Sequence, residues 1–286
     1  MQKTEQLVLI TGAGGLIGNY LLQTAPDFAR GQKVIGLTRK HLDLTDFSAV
    51  RKLFQGKSPQ LVIHCAALSK SPACQADPAV ARKLNVEVTA LLAELAAEIP
   101  FIFFSTDLVF DGKKGDYDES VAVNPLSVYA ETKVAAEKII LSNPKHTVIR
   151  TSLNGGISPT GDRGFNEEIR RACQEGKMLN LFVDEFRSPI PATVTSRAVW
   201  ELAASNRPGL YHLAGSERLS RLQIGQLLAA RWPQLNPKIQ PGSLKDYQGA
   251  PRSPDTSLNC AKVQKLLSFP LPSLTSWLAE HRDELF

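Results

Sequence analysis

Tyr129 and Lys133 stand four residues apart in Asn124–Lys138, NPLSVYAETKVAAEK. On a helix that spacing puts a phenol and an ammonium on one face, a turn apart. An ammonium beside a phenol favours the phenolate, so the pair is expected to bring the Tyr129 pKa down towards neutrality. A tyrosine tuned that way can protonate an alkoxide or take a proton from an alcohol. Pro125 and Ser127 mark the helix start, with Ser127 as the N-cap. The spacing alone is also common on solvated helix faces. What gives it weight is the rest of the chain.

The second chemical stretch is near the start. Leu7–Ile10 is a short apolar run that reads as a buried strand, and it leads into Thr11-Gly-Ala-Gly-Gly-Leu-Ile-Gly18 and a helix over Asn19–Ala25. Strand, glycine turn and helix form the context of a dinucleotide-phosphate site. Gly12, Gly14, Gly15, Leu16, Ile17 and Gly18 are the expected cofactor loop. Gly12 allows the turn, Gly15 lets the backbone approach a pyrophosphate, and Gly18 lets helix and strand pack closely. The free N–H groups at the helix start face the phosphates. After the second strand, Lys33–Leu37, Arg39 stands where an acidic residue would bind the ribose of NAD. Arg39 reads as a partner for a 2′-phosphate, favouring NADP over NAD, or as a solvated loop cation. Asp43, followed by Leu44, reads as an acceptor for the adenine amino group or as a cap of the helix Phe47–Gln55, for which Thr45 and Asp46 are better placed. The third strand, Gln60–Ala66, ends in small residues, and Cys65, Ala66 and Ala67 leave room for ribose and nicotinamide. His64 within it is expected to be a packed core residue. Asn85 reads as a brace of backbone near the site or as a surface amide.

The fourth strand, Phe101–Phe104, runs into Ser105-Thr-Asp107. A hydroxyl there, on Thr106 or Ser105, can hydrogen-bond a substrate carbonyl. Ser69–Asp77 is expected as a loop, Val80–Glu98 as one long amphipathic helix, and Thr147–Arg150 as the fifth strand. Strand and helix alternate without interruption to Asn154, which predicts an α/β fold: a doubly wound parallel sheet of the Rossmann type. Composition then shifts at a Gly/Pro/Ser loop, Gly155–Gly164. Residues 1–154 are expected to form the dinucleotide-binding domain. Residues 155–286 are expected to form mostly a smaller substrate-binding cap, plus a returning strand and helices.

The chain has 286 residues, 43% hydrophobic and 21% charged, with a net charge of +5. It carries no Lys/Arg block with interleaved aromatics, which argues against nucleic acid as a partner. A mildly basic cleft suits an anionic small substrate. Cys65, Cys74, Cys173 and Cys260 form no C-x-x-C pair, which argues against a metal site or disulfide framework and for a reducing, cytoplasmic setting. Met1 lies too close to the first strand for a signal peptide, and the apolar stretch Ala90–Phe104 is cut by Glu94, Glu98 and Pro100, so no membrane span is expected.

The glycine loop with G-x-x-G-x-x-G spacing, the hydroxyl after the fourth strand and Tyr129-x-x-x-Lys133 together resemble the extended short-chain dehydrogenase/reductase family. Ser105-Thr-Asp-Leu-Val-Phe-Asp-Gly112, Asn124-Pro-Leu-Ser-Val-Tyr129, Arg150-Thr-Ser152, Asp184-Glu-x-x-Ser-Pro189 and Arg252-Ser-Pro-Asp-x-Ser-Leu258 are similar to the dTDP-4-dehydrorhamnose reductase group. The resemblance runs in order over roughly residues 5–280. It implies a catalytic trio of Thr106, Tyr129 and Lys133, reduction at C4 of a nucleotide-linked 4-keto-6-deoxy sugar, and NADPH as the hydride source. It implies Arg187 and Arg252 as cations for the substrate pyrophosphate, with surface salt bridges as their other reading, and Ser105 and Asn154 at the sugar. Leu153-Asn154-Gly-Gly156, Arg187 and Ser69-Lys-Ser-Pro-Ala-Cys74 depart from the group's usual pattern, and all would shape the sugar pocket. Arg187-x-Pro189 also resembles the regulatory β subunit of methionine adenosyltransferase, a cofactor-holding binding subunit. An epimerase or dehydratase ranks third, because Asp107 lies beside the catalytic hydroxyl without an accompanying Glu. Ala130, Val134 and Ala135, on other faces of the Tyr129 helix, are candidates for contact with a second copy in a homodimer.

Overall fold

The apolar run at the start of the chain forms a strand whose residues are buried from Leu7 onward. Strands covered on both faces by helices read as continuous apolar runs rather than alternating ones. The structure is a computed structural model that describes residues 6–249, 251–282, 284 and 286. In the first half β1 (Gln6–Thr11), α1 (Leu16–Phe28), β2 (Gln32–Leu37), α2 (Phe47–Lys57) and β3 (Leu61–His64) alternate. Three helical pieces follow, α3 (Ser71–Ala76), α4 (Pro78–Arg82) and α5 (Val88–Leu95), then β4 (Phe101–Thr106), α6 (Val128–Leu141) and β5 (His146–Thr151). In the second half come β6 (Asn154–Gly155), α7 (Phe165–Gln174), β7 (Met178–Phe182), β8 (Phe186–Arg187), β9 (Ile190–Pro191), α8 (Ala192–Ser205) and β10 (Gly209–Leu213). The remaining elements are β11 (Leu219–Ser220), α9 (Arg221–Ala229), β12 (Lys238–Gly242), α10 (Ala261–Gln264) and α11 (Leu274–Glu280).

The central sheet has six strands in the order β10-β5-β4-β3-β1-β2, and every neighbouring pair is parallel. The order reverses direction at β1, so the carboxyl ends of β1 and β3 open a crevice of the kind that takes ligands in such sheets. One apolar layer, with Ile10, Leu21, Ile63 and Ile149, joins the sheet to α1 and α8. The other, with Leu9, Val62, Leu92, Phe103 and Ile140, joins it to α2, α5 and α6. Residues beyond 154 thus contribute to the main sheet as well. β10 adds an edge strand, and Trp200 of α8 donates from Nε1 to Thr24 of α1 at 3.1 Å. The cap has its own core, in which Phe165, Leu228, Trp277 and Phe286 meet.

The structure departs from the expected elements in two places that matter for the site. The stretch expected as one helix is bulged: between α4 and α5, Lys83–Glu87 form a π-turn in which Val88 N–H reaches back to Lys83 O. Such single π-turns are frequent at functional sites, and this one carries Asn85. Part of the expected loop Ser69–Asp77 is helical as α3, with Pro72 in the first turn, where its missing N–H costs nothing. On α6, Ala130 is buried within the protomer, and Val134, largely buried, lines the floor of an outer groove. Ala135 lines the same groove with Arg82, Glu131 and Lys138.

Gly18 is where helix and strand meet most closely, because a Cβ there would stand 2.4 Å from Gly12 O. Gly18→Ala is expected to lower the unfolding free energy by about 1–3 kcal/mol, the usual cost of overpacking, measured by urea denaturation. An unchanged midpoint would mean that the α1 start can shift without penalty.

Candidate active site

The catalytic helix begins as its sequence requires. Ser127 caps α6, its hydroxyl accepting from Ala130 N at 3.3 Å. Tyr129 and Lys133 then fall on the face turned to the carboxyl end of β4. Lys133 is 3% exposed, and its Nζ lies 4.0 Å above the centroid of the Phe103 ring. Thr106 closes β4. Its hydroxyl accepts from Leu108 N at 3.2 Å and donates to Asp107 Oδ1 at 3.1 Å, and it lies close enough to the Tyr129 phenol to act on its ionisation. Thr106, Tyr129 and Lys133 therefore converge in one place. Ser105 faces the other way, and its buried hydroxyl has no hydrogen-bond partner among the described residues.

The protonation of the pair differs from the expectation drawn from spacing alone. Burial, followed by the negative charge of Asp107, pushes the Tyr129 phenol up from its ordinary value, and the Thr106 hydroxyl only partly offsets this. Burial pulls Lys133 down to about 7, against the opposing pull of the Glu137 carboxylate. Desolvation disfavours both charged forms. Tyr129 is thus held protonated, and Lys133, one turn along the helix, is poised near neutrality.

Asp107 is the hub that sequence reasoning underrated. It is 5% exposed, and its Oδ2 accepts from Ser152 Oγ at 2.8 Å and Thr256 Oγ1 at 2.9 Å, with Arg187 Nε at 3.7 Å. Arg187 is itself buried. It donates to Phe186 O at 2.6 Å, Ser253 O at 3.0 Å and Glu185 Oε1 at 2.8 Å. The pyrophosphate role read for Arg187 is therefore revised: its donors are engaged by the protein, and it ties the cap to Asp107. Arg252 is partly exposed. It grips Glu185 through Nε and Nη2 at 2.9 and 2.8 Å and lies over the rings of Phe182 and Tyr247. Burial would raise the Glu185 carboxyl, but Arg187 and Arg252, with Arg221 nearby, hold it below its ordinary value. Arg187, Arg221 and Arg252 surround Glu185, with Asp107 facing Arg187 and Glu168 near Arg221. Asn154 is occupied as a brace: its amide donates to Thr151 Oγ1 and Ser152 O and accepts from Thr195 Oγ1 at 2.6 Å.

A second buried chain links the glycine loop to the catalytic helix. Thr89 Oγ1 donates to Asn85 O at 2.8 Å, so it accepts from His64 Nε2–H at 3.1 Å, and His64 Nδ1 in turn accepts from Thr11 Oγ1 at 2.6 Å. Burial holds His64 at about 3, so the ring is neutral, a packed core histidine as expected. Asn85, also buried, accepts from Leu68 N and donates to Leu68 O and to Thr132 Oγ1. Thr132 in turn donates to Tyr129 O at 2.7 Å. Of the two readings of Asn85, the structure selects the brace.

The crevice fits a dinucleotide. Gly12 has φ +71, and a Cβ there would strike Ala66 N at 2.5 Å, so the turn lies directly against the end of β3. Gly15 is the N-cap of α1 and makes no side-chain cap bond, and the first turn of α1 carries no acidic residue, so the N–H groups of Leu16 and Ile17 face an anion-ready end. Gly14 packs beside Thr38. Arg39 is exposed, and Leu44 packs against the apolar layer under α2. Asp43 is exposed and binds Thr45 through N–H and hydroxyl at 2.9 and 2.8 Å, while Asp46 caps α2. Cys65 and Ala66 are half-buried at the crevice floor, and Ala67 is exposed. Burial pushes the Cys65 thiol far up, which makes it a wall rather than a nucleophile. Among the described residues no group of three or more His, Cys, Asp or Glu side chains could hold a metal ion, and no helix is long and apolar enough to cross a membrane.

A parallel Rossmann-type sheet, a glycine turn at its crevice and a Ser/Thr-Tyr-Lys constellation under a cap define the extended short-chain dehydrogenase/reductase class. Within it, the RmlD substrate binding domain matches residues 6–285, and the chain belongs to that family. It is 28% identical over 280 residues to a dTDP-4-dehydrorhamnose reductase of Sinorhizobium fredii, covering 92% of each chain. It is 27% identical over 274 residues to methionine adenosyltransferase 2 subunit beta of Xenopus tropicalis, covering 90% of this chain and 81% of that one. Its fold superposes with a TM-score of 0.87 on the dTDP-4-dehydrorhamnose reductase of Bacillus anthracis in complex with NADP, at 22% identity, over 97% of this chain and 98% of that one.

Lys133 makes stability depend on pH. Its ordinary value is 10.5 and its folded value is about 7, so between them the unfolded chain binds more protons than the folded one, and stability rises with pH. Wild type is expected to gain stability over Lys133→Met across that window. Denaturation midpoints at several pH values check this, and parallel pH curves for the two proteins would contradict it.

Proposed function

We propose that the protein is an NADPH-dependent reductase of a nucleotide-linked 4-keto-6-deoxy sugar, acting as dTDP-4-dehydrorhamnose reductases do. The observation that carries the reading is the convergence of Thr106, Tyr129 and Lys133 at the sheet crevice, with Tyr129 kept protonated by its surroundings. A general acid must hold its proton until charge develops on the acceptor. The N–H groups of Gly14 and of Leu16 to Gly18 would hold the cofactor pyrophosphate, with Gly15 N–H spent on Gly12 O, Arg39 would hold the 2′-phosphate, Asp43 and Leu44 the adenine, and Cys65 to Ala67 with Lys133 the nicotinamide riboside. The nicotinamide supplies the hydride when bound. Tyr129 gives its proton to the oxygen developing at C4, and Thr106 hydrogen-bonds the same oxygen. Lys133 binds the ribose and, as an ammonium, balances the phenolate left behind. The cap arginines, Arg252 and Arg221, offer charge to the substrate diphosphate. The low-dielectric setting strengthens each of these contacts.

The reading as an epimerase or dehydratase is weaker, because the Asp107 carboxylate is buried and already accepts from three hydroxyls. A cofactor-holding regulatory subunit remains as a second reading, supported by the similarity to methionine adenosyltransferase 2 subunit beta over most of the chain. It requires co-elution with a methionine adenosyltransferase catalytic subunit and no turnover of NADPH.

Loss of absorbance at 340 nm with NADPH and dTDP-4-keto-6-deoxy sugar tests the main reading, and no oxidation at high enzyme concentration would overturn it. Tyr129→Phe is expected to lower kcat by about 10²–10⁴-fold with binding retained. Activity near wild type would assign the proton to another donor. Arg39→Asp is expected to weaken NADPH binding more than NADH binding in fluorescence titrations. Equal weakening would remove Arg39 from the phosphate site.

A further inference from the structure

Helix α6 carries a third polar residue in register with Tyr129 and Lys133. Glu137 lies a turn beyond Lys133, is 3% exposed, and is held at both oxygens by Arg150 of β5: Nε to Oε1 at 3.0 Å and Nη2 to Oε2 at 2.7 Å. Arg150 is buried too. Its Nη1 lies 3.4 Å from His212 Nε2, and its guanidinium lies over the Phe110 ring. His212 Nδ1 is bonded to Tyr117 O at 2.9 Å, and burial, with Arg150 beside it, keeps the ring neutral, at about 4. A buried bidentate pair is weak evidence for stability, since apolar residues of the same volume often serve as well. Its position on the catalytic face points to another use.

The groups facing Lys133 come from four elements. They are Tyr129 and Glu137 on α6, the Phe103 ring on β4, His64 and Cys65 at the end of β3, and Cys74 on α3. His64 is neutral. Burial raises both thiols, so they carry no charge near neutral pH. Tyr129 is protonated, and Asp107, whose charge acts on it, is bonded to Thr106 and Ser152. Glu137 is the buried carboxylate on the same helix face, one turn beyond buried Lys133, and its charge favours the ammonium.

We propose that Glu137, clamped by Arg150, is a positioning residue that holds Lys133 as an ammonium inside a site whose dryness would otherwise strip its proton. Arg150 holds both carboxylate oxygens in place, and its charge limits how strongly that carboxylate pulls on Lys133. The proposal rests on the reading of Lys133 as the group that binds cofactor and balances the phenolate. Its test does not need turnover.

The test is ¹³C NMR of the whole chain labelled with [ε-¹³C]lysine, with Lys133→Met assigning the Lys133 signal. Glu137→Gln is expected to move the Lys133 titration midpoint down by about one unit, tenfold in its acid constant, and Glu137→Asp to restore most of it. Arg150→Gln is expected to move the midpoint up, because the carboxylate then acts without its clamp. Opposite shifts for the two partners would not follow from a structural role alone. A midpoint unmoved in Glu137→Gln, or shifts of the same sign in both variants, would overturn the proposal. Should Glu137→Gln fail to fold, Arg150→Gln decides: a rise supports the assignment, and no change or a fall refutes it. If the resting protein shows these shifts but oxidises no NADPH, the electrostatic device stands and the reductase reading falls.

Discussion

The site depends on keeping an amine and a phenol together out of water. Lys133 is buried over an aromatic ring, and Tyr129, one turn before it on α6, feels the charge of buried Asp107. Desolvation drives both groups towards their neutral forms, the tyrosine upward and the lysine downward. The surrounding polar groups act on both. Asp107 keeps the proton on Tyr129, and Glu137 favours the proton on Lys133. Each carboxylate is in turn fixed by hydroxyls or an arginine, so neither is an isolated buried charge.

Two buried networks hold this arrangement to the rest of the molecule. The first, Thr11–His64–Thr89–Asn85–Thr132, runs from the glycine strand to the backbone of Tyr129. The π-turn at Lys83–Glu87 places Asn85 within it. The second, Asp107–Arg187–Glu185–Arg252, runs from the end of β4 to the cap. The cofactor crevice is therefore connected to α6, and the cap to the end of β4, by chains of hydrogen-bonded and ion-paired side chains.

Much of this was legible in the sequence. Tyr129 and Lys133 share a face because the helical period requires it, and Ser127 caps the helix as its type predicts. The glycine loop was legible because strand, turn and helix are adjacent along the chain. What escaped were partnerships made across the fold. Asp107 finds Thr256 from 149 residues away, and Arg187 finds Ser253 from 66 away, so local spacing could not show that Arg187 is engaged by the protein. The direction of the Tyr129 shift was misread for the same reason. Spacing reports that a cation is near, but burial depth and the opposing Asp107 come from tertiary packing. The helical bulge at Asn85 left no mark either, because an amphipathic pattern survives a single π-turn.

Similarity to reductases and to a regulatory subunit is nearly equal in identity, so the chemistry of the site has to separate them. The most direct measurement is a single turnover with NADPH doubly deuterated at C4 of the nicotinamide and a dTDP-4-keto-6-deoxy sugar, with the product read by mass spectrometry and NMR. The expected result is one deuterium at C4 of the sugar and one retained at C4 of the oxidised nicotinamide. A cofactor that keeps both deuterium atoms, with the sugar unreduced, would contradict it.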